Sequence, residues 1–502
     1  MNDHTGFGFA RATAEERNEV AERIVDQAWA VWRPQCVLLV ATFLGDPLTP
    51  PNVLKFESAL CGLVRELGRF LLELTVNALE PDEPQRLARD LWFQCGGYRR
   101  RRDKTPDRYV ASLFGSITLW RRGYRSWDNN DRSIFPLEMM LGLVGGATPG
   151  LADWLGRQMA EAGASQSRVL ETLRVEHGVS MGVKRLRTII ERLSQGLAEF
   201  RQVNQVEALL TALQEAQESR GSRKPVLAVG RDGITLQGYH HLCYEVATAA
   251  TVSVYDRAGK RVHTVYLAWP PELGQSTMSH MLTSLLTELF ERWTGPIPQL
   301  AYVADSGGNE SSYFAQTLRR MLHPRTGKPL VWQRVVDYYH VSERVWSMAT
   351  ALFGRDTREA HSWAHRMVKA LKKPSGASRV LHSAASHFHR HDLRGTRAKD
   401  FWKAYRYIQK RTRFLRYHEY RSKHIPLGSG VTEAACKTIF TQRLKLSGMR
   451  WSYEGAKTIL GLRVILLSRT WQRTFRSYLE SITPTDIRPY APANQHPAKS
   501  VA

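Results

Sequence analysis

Val226-Leu-Ala-Val-Gly-Arg-Asp232-Gly and, 73 positions on (305 minus 232), Leu300-Ala-Tyr-Val-Ala-Asp305-Ser-Gly are two short apolar runs that each end on an aspartate. Runs of this length, closed by turn residues, read as buried strands. A lone Asp-Gly or Asp-Ser-Gly-Gly is ordinary turn chemistry. Two carboxylates at the ends of two strands mean more, because carboxylate oxygens suit hard divalent cations. A pair of magnesium ions about 3.5–4 Å apart can activate a nucleophile and stabilise the leaving oxygen of a phosphodiester.

Working outward, Ala247 to Val254, Val262 to Leu267 and Val331 to Val336 are further strand-like runs, and Asp256-Arg-Ala-Gly-Lys260 joins the second and third strands as a hairpin. Between the third and fourth, Met278, Met281, Leu282, Leu285, Leu286, Leu289, Phe290 and Trp293 form one helical stripe. Three antiparallel strands followed by two parallel ones through crossover helices predict an α/β fold with a mixed sheet of the ribonuclease H type. The first and fourth strands are neighbours in that order, which brings Asp232 and Asp305 to one edge.

After His340 the strand pattern stops, and helical patterns over Val345 to Phe353, His361 to Leu371 and Lys399 to Tyr420 predict a helical insertion. Gly428-Ser-Gly-Val-Thr-Glu433 then opens a helix with a third carboxylate. If Ser429 is the cap, Glu433 falls one position late for a capping box and is free to face metal. If Gly430 is the cap, Glu433 is only a favourable first-turn acid. Glu310, Glu343 and Glu454 are rival third ligands. Asp337-Tyr-Tyr-His340 closes the fifth strand as an auxiliary pair able to orient a phosphate or a ligand, the commoner alternative being an aspartate that simply fixes the histidine. The expected organisation is a helical domain over 1–98, a DNA-binding region over 99–223, a core over 224–340, an insertion over 341–425, core completion over 426–482 and a flexible tail over 483–502.

A formal charge of +24, from 71 basic and 47 acidic residues on a chain that is 43% apolar, calls for a polyanionic partner. In the amino-terminal part, Val20, Ile24, Ala28 and Val31 recur at helical spacing, with breaks expected at Pro34 and at Pro47 to Pro51. A basic run, Arg99 to Arg102, precedes a hairpin expected at Leu113 to Trp120. A helix from Ser165, a turn with Gly178 and a second helix from Met181 resemble a helix-turn-helix offering Lys184, Arg185 and Arg187 to a major groove, with plain packing as the alternative. From 195 a helix runs into a Ser/Arg/Gly linker at 218–223. Lys410, Arg411 and Arg413, interleaved with Trp402, Tyr405, Tyr407, Phe414 and Tyr417, read either as phosphate grips and base-stacking rings or as a solvated face over core aromatics. The cysteines at 36, 61, 95, 243 and 436 are too far apart for a metal knuckle or redox pair, and His382, His387, His389 and His391 are irregularly spaced, so no zinc is expected. No signal segment and no run of roughly 18 apolar residues is evident, which predicts a cytoplasmic, nucleoid-associated protein without membrane contact.

Together Val229-Gly-Arg-Asp232-Gly, Val303-Ala-Asp305-Ser-Gly, Val336-Asp337-Tyr-Tyr-His340, Arg416-Tyr-His-Glu-Tyr-Arg-Ser-Lys-His-Ile-Pro-Leu-Gly-Ser-Gly-Val-Thr-Glu433 and Arg443-Leu-Lys-Leu-Ser-Gly-Met-Arg-Trp451-Ser resemble the DDE transposases of bacterial insertion sequences, most like the ISKra group, over about residues 110–470. The resemblance implies that Asp232, Asp305 and Glu433 are the catalytic, metal-holding triad, served by two Mg2+ ions for which Mn2+ can substitute. It implies double-stranded DNA, element ends and target, as partner, a homo-oligomer, and DNA-backbone contacts from Arg443, Lys445 and Arg450. The reaction implied is hydrolysis at the element ends to free a 3′ hydroxyl, then attack of that hydroxyl on target DNA. The paired cysteines that relatives carry near Tyr124 to Pro136 have no counterpart here. A structure-selective nuclease on the same core and a non-catalytic DNA-binding regulator are the alternatives.

Overall fold

The computed structural model describes residues 13–79, 88–94, 96–101, 107–128, 133–237, 244–391, 393–484 and 487–489. Arg102, Cys95, Cys243 and the tail beyond 489 lie outside the described residues. The chain divides into two compact units, one of residues 1–159, 164–197 and 475–502, the other of residues 160–163 and 198–474.

In the first unit, helix α1 (Ala14–Gly45) begins on a complete capping box, in which the Thr13 hydroxyl accepts the Glu16 amide at 3.2 Å and the Glu16 carboxylate accepts the Thr13 amide at 2.7 Å. It runs straight through Pro34, where a break is expected from sequence. The second expected break is real, with Thr49 as cap and prolines in the first turn of α2 (Pro50–Ala78). The two helices pair through a Phe43–Phe56 stack and a 2.7 Å hydrogen bond from the Trp32 indole to the Leu63 carbonyl. Among the described residues α1 is a helix long and apolar enough to cross a membrane by length and composition alone. The hairpin lies at Arg108–Ser112 and Gly115–Leu119, tied to α2 by Asn77 and Glu73. Strands Asp90–Phe93, Gly96–Arg100 and Tyr124–Ser126, which the sequence pattern does not single out, pair beside one another.

Helix α3 (Gln166–His177) ends on Gly178 in the left-handed conformation, and α4 (Val183–Glu218) follows, so two helices joined by a short turn are present. α4 is one continuous helix of 36 residues, and the boundary between units falls inside it, not at the linker of 218–223. Its first half buries Leu186, Ile189, Ile190 and Leu193, and its second half buries Val206, Leu209, Leu213 and Ala216 in the core of the second unit.

That second unit is built on a five-stranded mixed sheet of β1 (Val226–Gln237), β2 (Tyr244–Tyr255), β3 (Arg261–Trp269), β4 (Gln299–Ala304) and β5 (Trp332–Val336), in the order β5-β4-β1-β2-β3. β1, β4 and β5 are parallel, and β2 and β3 are antiparallel to their neighbours. Helices α5 (Ser276–Arg292) and α6 (Gly308–Gln316) are the crossovers. Strand side chains alternate between faces. Leu227, Val229, Leu300 and Tyr302 pack with α4 and α5 on one face, whereas Val226, Ala228, Ala301 and Val303 pack on the other against the helical stretch that follows β5. That stretch comprises α7 (Tyr338–Phe353), α8 (Arg358–Leu371), α9 (Gly376–His391) and α10 (Gly395–Gln409), and the chain then enters α11 (Gly430–Cys436). The aromatics Trp402, Tyr405, Tyr407, Phe414 and Tyr417 belong to this second core, the Tyr417 hydroxyl donating to the Val336 carbonyl at 2.8 Å. Tyr417 is buried, whereas Trp402, Tyr405, Tyr407 and Phe414 pack against the core while remaining partly exposed.

Candidate active site

Register decides where the carboxylates meet. Val303 pairs with Gly230 in the parallel β4–β1 ladder, and continuing that offset sets Asp305 beside Asp232. Ala304 pairs with Val336 in β4–β5, and the same continuation sets Asp337 beside Asp305. Asp305 and Asp337 thus directly follow two neighbouring parallel strands, at the end of the sheet where Asp232 lies within β1. One expectation needs correcting, since Asp232 does not end its strand: β1 continues to Gln237, with Asp232 opposite Ala249 of β2. What ends there is the parallel neighbour, so Asp232 is uncovered at the sheet's edge although it lies within a strand. By alternation Asp232 and Asp305 share the face of Val226, Ala228, Ala301 and Val303.

Glu433 reaches this face because α11 lies close on β1. A Cβ at Gly230 would overlap the Thr432 hydroxyl, and the Thr432 hydroxyl is 2.8 Å from that of Thr251 on β2. Ser429 is the helix cap, yet its hydroxyl makes no capping bond and instead lies 2.7 Å from the Glu433 carboxylate. The helix ends in a π-turn at Lys437–Thr441, a distortion frequent at functional sites.

The electrostatics follow the geometry. Burial, then the charges of Asp305 and Glu433, push the Asp232 carboxyl above its ordinary range, partly offset by the Gly233 amide, which donates at 2.8 Å, and by the Cys436 thiol. Burial, with Asp232 as its neighbour, holds the Cys436 thiol far above the usual thiol range. A fourth carboxylate joins them. Glu310, in the first turn of α6, is 7% exposed, and a Cβ at Gly307 would sit on its Oε2 and 3.5 Å from Asp305 Oδ1. Burial first, then Asp305 and Asp232, raise its pKa, while Arg231 lowers it. Arg231 is wholly buried, donating to Ser279 and Gln275 at 2.9 Å each and lying over the Tyr313 ring. In the sequence Glu310 is only one of three rival glutamates; its proximity to Asp305 depends on the sharp turn at Ser306, where φ is +72. The Tyr407 hydroxyl donates to the Asp305 carbonyl at 2.9 Å and Arg411 to the Ser306 carbonyl at 3.4 Å, clamping that turn.

Asp337 and His340 take different parts. Asp337 is fully buried and caps α7, accepting the Tyr339 and His340 amides at 2.6 and 3.0 Å. His340 is half-buried, 3.1 Å from the Glu343 carboxylate through Nδ1 and 3.9 Å from Glu433 through Nε2. Burial alone would lower its pKa, but Glu343, Asp337 and Asp305 together raise it above the ordinary value.

The expected DNA contacts divide. Lys184, Arg187, Lys410, Arg413, Lys445 and Arg450 are exposed, Arg187 also donating to Gln166. Arg185 is half-buried and donates to the Gly146 carbonyl at 3.0 Å, and Arg411 is engaged at the Ser306 turn and over the Tyr407 ring. Arg443 contradicts its expected role: it is 1% exposed and lies over the Trp451 ring. Residues two apart on a helical turn face opposite sides, so with Lys445 outward Arg443 points inward. Burial, with Arg463 nearby, takes its pKa down to about 10.

Carboxylate oxygens, which hard cations prefer, stand at this edge beside the Cys436 thiol and the His340 imidazole. Magnesium commonly takes one or two carboxylates and completes its shell with water and substrate phosphate. Asp305 and Glu433 lie near enough to Asp232 for their charges to act on it, but among the described residues no group of three or more Asp, Glu, His or Cys side chains is placed to hold a metal ion. No family model and no curated protein matches this chain.

Proposed function

We propose that the chain is a metal-dependent DNA-processing enzyme of the DDE transposase type, with Asp232, Asp305 and Glu433 as its reaction centre. The observation that carries this reading is the placing of the carboxylates: Asp232 within β1, Asp305 directly after the strand that pairs in parallel with β1, and the Glu433 helix packed on the same face. The strand order β5-β4-β1-β2-β3, parallel on one side and antiparallel on the other, supports a ribonuclease H-like core, and the helices after β5 correspond to the expected insertion.

Divalent cations, Mg2+ or Mn2+, would be held by Asp232, Asp305 and Glu433 and would supply activation of the attacking oxygen and charge neutralisation at the phosphate. The chain's own residues set the geometry. Tyr407 and Arg411 hold the turn after β4 so that Asp305 keeps its place, and the Gly233 amide orients Asp232. Exposed Lys410, Arg413, Lys445 and Arg450 bind the DNA backbone in a salt-dependent way. Lys184 and Arg187, on the helix after the Gly178 turn, present cations to a groove. A homo-oligomer acting on both element ends completes the reading.

The test is incubation of the purified chain with labelled element-end DNA and magnesium. Joined products are expected, and Asp305→Asn abolishes them while retaining DNA binding. Cleavage without joining would make the protein a nuclease; retention without metal-dependent cutting would make it a regulator. Undiminished cutting by Asp305→Asn would overturn the assignment of the centre.

A further inference from the structure

The third aspartate at this end of the sheet differs from the other two. Asp305 and Asp232 are partly open, but Asp337 has no exposed surface and its oxygens are occupied from within the chain. Oδ1 accepts the amides of Tyr339 and His340. Oδ2 accepts the amide of Ser429, 92 positions away, and lies 2.7 Å from the Ser429 hydroxyl. The same hydroxyl is 2.7 Å from Glu433 Oε1. A serine hydroxyl carries one proton. That hydroxyl is equally close to Asp337 Oδ2 and Glu433 Oε1, so Ser429 bridges the two carboxylates while its amide ties it to Asp337.

The turn leading into α11 is shaped around this contact. A Cβ at Gly428 would lie 3.3 Å from Asp337 Oδ2 and 2.9 Å from the Tyr339 ring. The Tyr338 amide donates to the Leu427 carbonyl at 2.9 Å, so one backbone hydrogen bond and the one from the Ser429 amide to the Asp337 carboxylate link the start of α7 to the segment before α11. We infer that Asp337 is a positioning residue which fixes the Leu427–Ser429 turn and, through the Ser429 hydroxyl, sets the carboxylate of Glu433 beside Asp232, without itself touching metal or DNA. The role given to Glu433 rests on the function proposed above; the chain of contacts from Asp337 does not.

A fully buried aspartate with four donors is also structural, so the test is built on Ser429, whose hydroxyl makes no capping bond. In the full-length protein Ser429→Ala is expected to lower the rate of magnesium-dependent cleavage about 10-fold, as loss of a residue orienting a metal-binding carboxylate does, with DNA affinity within error of wild type and the melting temperature lower by only a few degrees. Ser429→Thr, which keeps the hydroxyl, restores most of the rate. In a Glu433→Gln background Ser429→Ala adds no further loss. An equal loss in that background, or no rescue by threonine, would overturn the inference. Asp337→Asn abolishing Mn2+ binding, read by electron paramagnetic resonance, while Ser429→Ala leaves it intact would instead make Asp337 a ligand. If the wild-type chain cuts no DNA, the proposed function fails by itself. The positioning is then decided by the crystal structure of Ser429→Ala, in which the Glu433 carboxylate is displaced if the inference holds and unmoved if it is wrong.

Discussion

Replacing Gly230 by alanine tests the packing that brings Glu433 to the sheet. The added methyl would overlap the Thr432 hydroxyl and lie 3.1 Å from both the Thr432 Cβ and the Thr251 hydroxyl, where ordinary contact begins near 3.4 Å. None of these groups can retreat into solvent, since Thr251 and Thr432 are each 2% exposed. Overpacking at such a site costs about 1–3 kcal/mol, and breaking the Thr251–Thr432 hydrogen bond adds about 1 kcal/mol. At ~2–4 °C per kcal/mol for a large domain, the melting temperature should fall by roughly 4–16 °C. If α11 moves outward by about 1 Å to relieve the overlap, cleavage should fall on the order of 100-fold. Gly430→Ala is the control on the same helix, because a Cβ there meets nothing within 4 Å. Calorimetry and single-turnover cleavage measure both effects. A Gly230→Ala protein that melts and cuts like wild type, or a Gly430→Ala protein equally impaired, would refute the argument that close approach at Gly230 places Glu433.

Other outcomes follow from burial and charge. Arg443→Ala should lower the melting temperature by several degrees and leave the salt dependence of DNA binding unchanged, whereas Lys445→Ala and Arg450→Ala should each reduce the salt slope by about one and leave stability alone; filter binding against salt concentration separates the two. Iodoacetamide at pH 8 should alkylate exposed Cys61 and spare Cys436, whose buried thiol stays protonated beside Asp232, and mass spectrometry showing equal rates would contradict that. Glu310 has a folded pKa raised above 4.5, so its stabilising share is complete below the unfolded value and is lost as pH rises through the folded one. Glu310→Gln should therefore melt higher than wild type in metal-free buffer at neutral pH, with the gap closing as pH falls toward 4; a gap that widens on acidification would show that the carboxylate is favourably paired.

The two apolar runs that carry Asp232 and Asp305, the hairpin at Asp256–Lys260 and the helical stretch after His340 were legible because each is a local signal: an apolar run, a turn sequence, a 3.6-residue period. The same locality misled at Pro34, where the flanking helix continues, and at Asp232, where a turn-like Asp-Gly lies inside a long antiparallel ladder with β2. Arg443 and Lys445 look alike in sequence; only the packing of Trp451 separates the buried cation from the exposed one. Glu310 was legible only as one of three rival third ligands, and Ser429 only as a helix cap, since neither the turn at Ser306 nor the contact with Asp337 has a local signature.

Residue order alone determined which segments become strands and helices, and hence which residues lie within reach of a strand end, because backbone propensity and side-chain period act over a few positions. Which carboxylates share a face was decided by parallel register across β1, β4 and β5. What each then does was decided by long-range contacts: Asp337 meets Ser429 across 92 positions, and Gly230 admits Thr432 across 202 (432 minus 230). Such pairings are settled only when the whole sheet and its covering helices close together, since burial and hydrogen bonding across distant segments have no local signature.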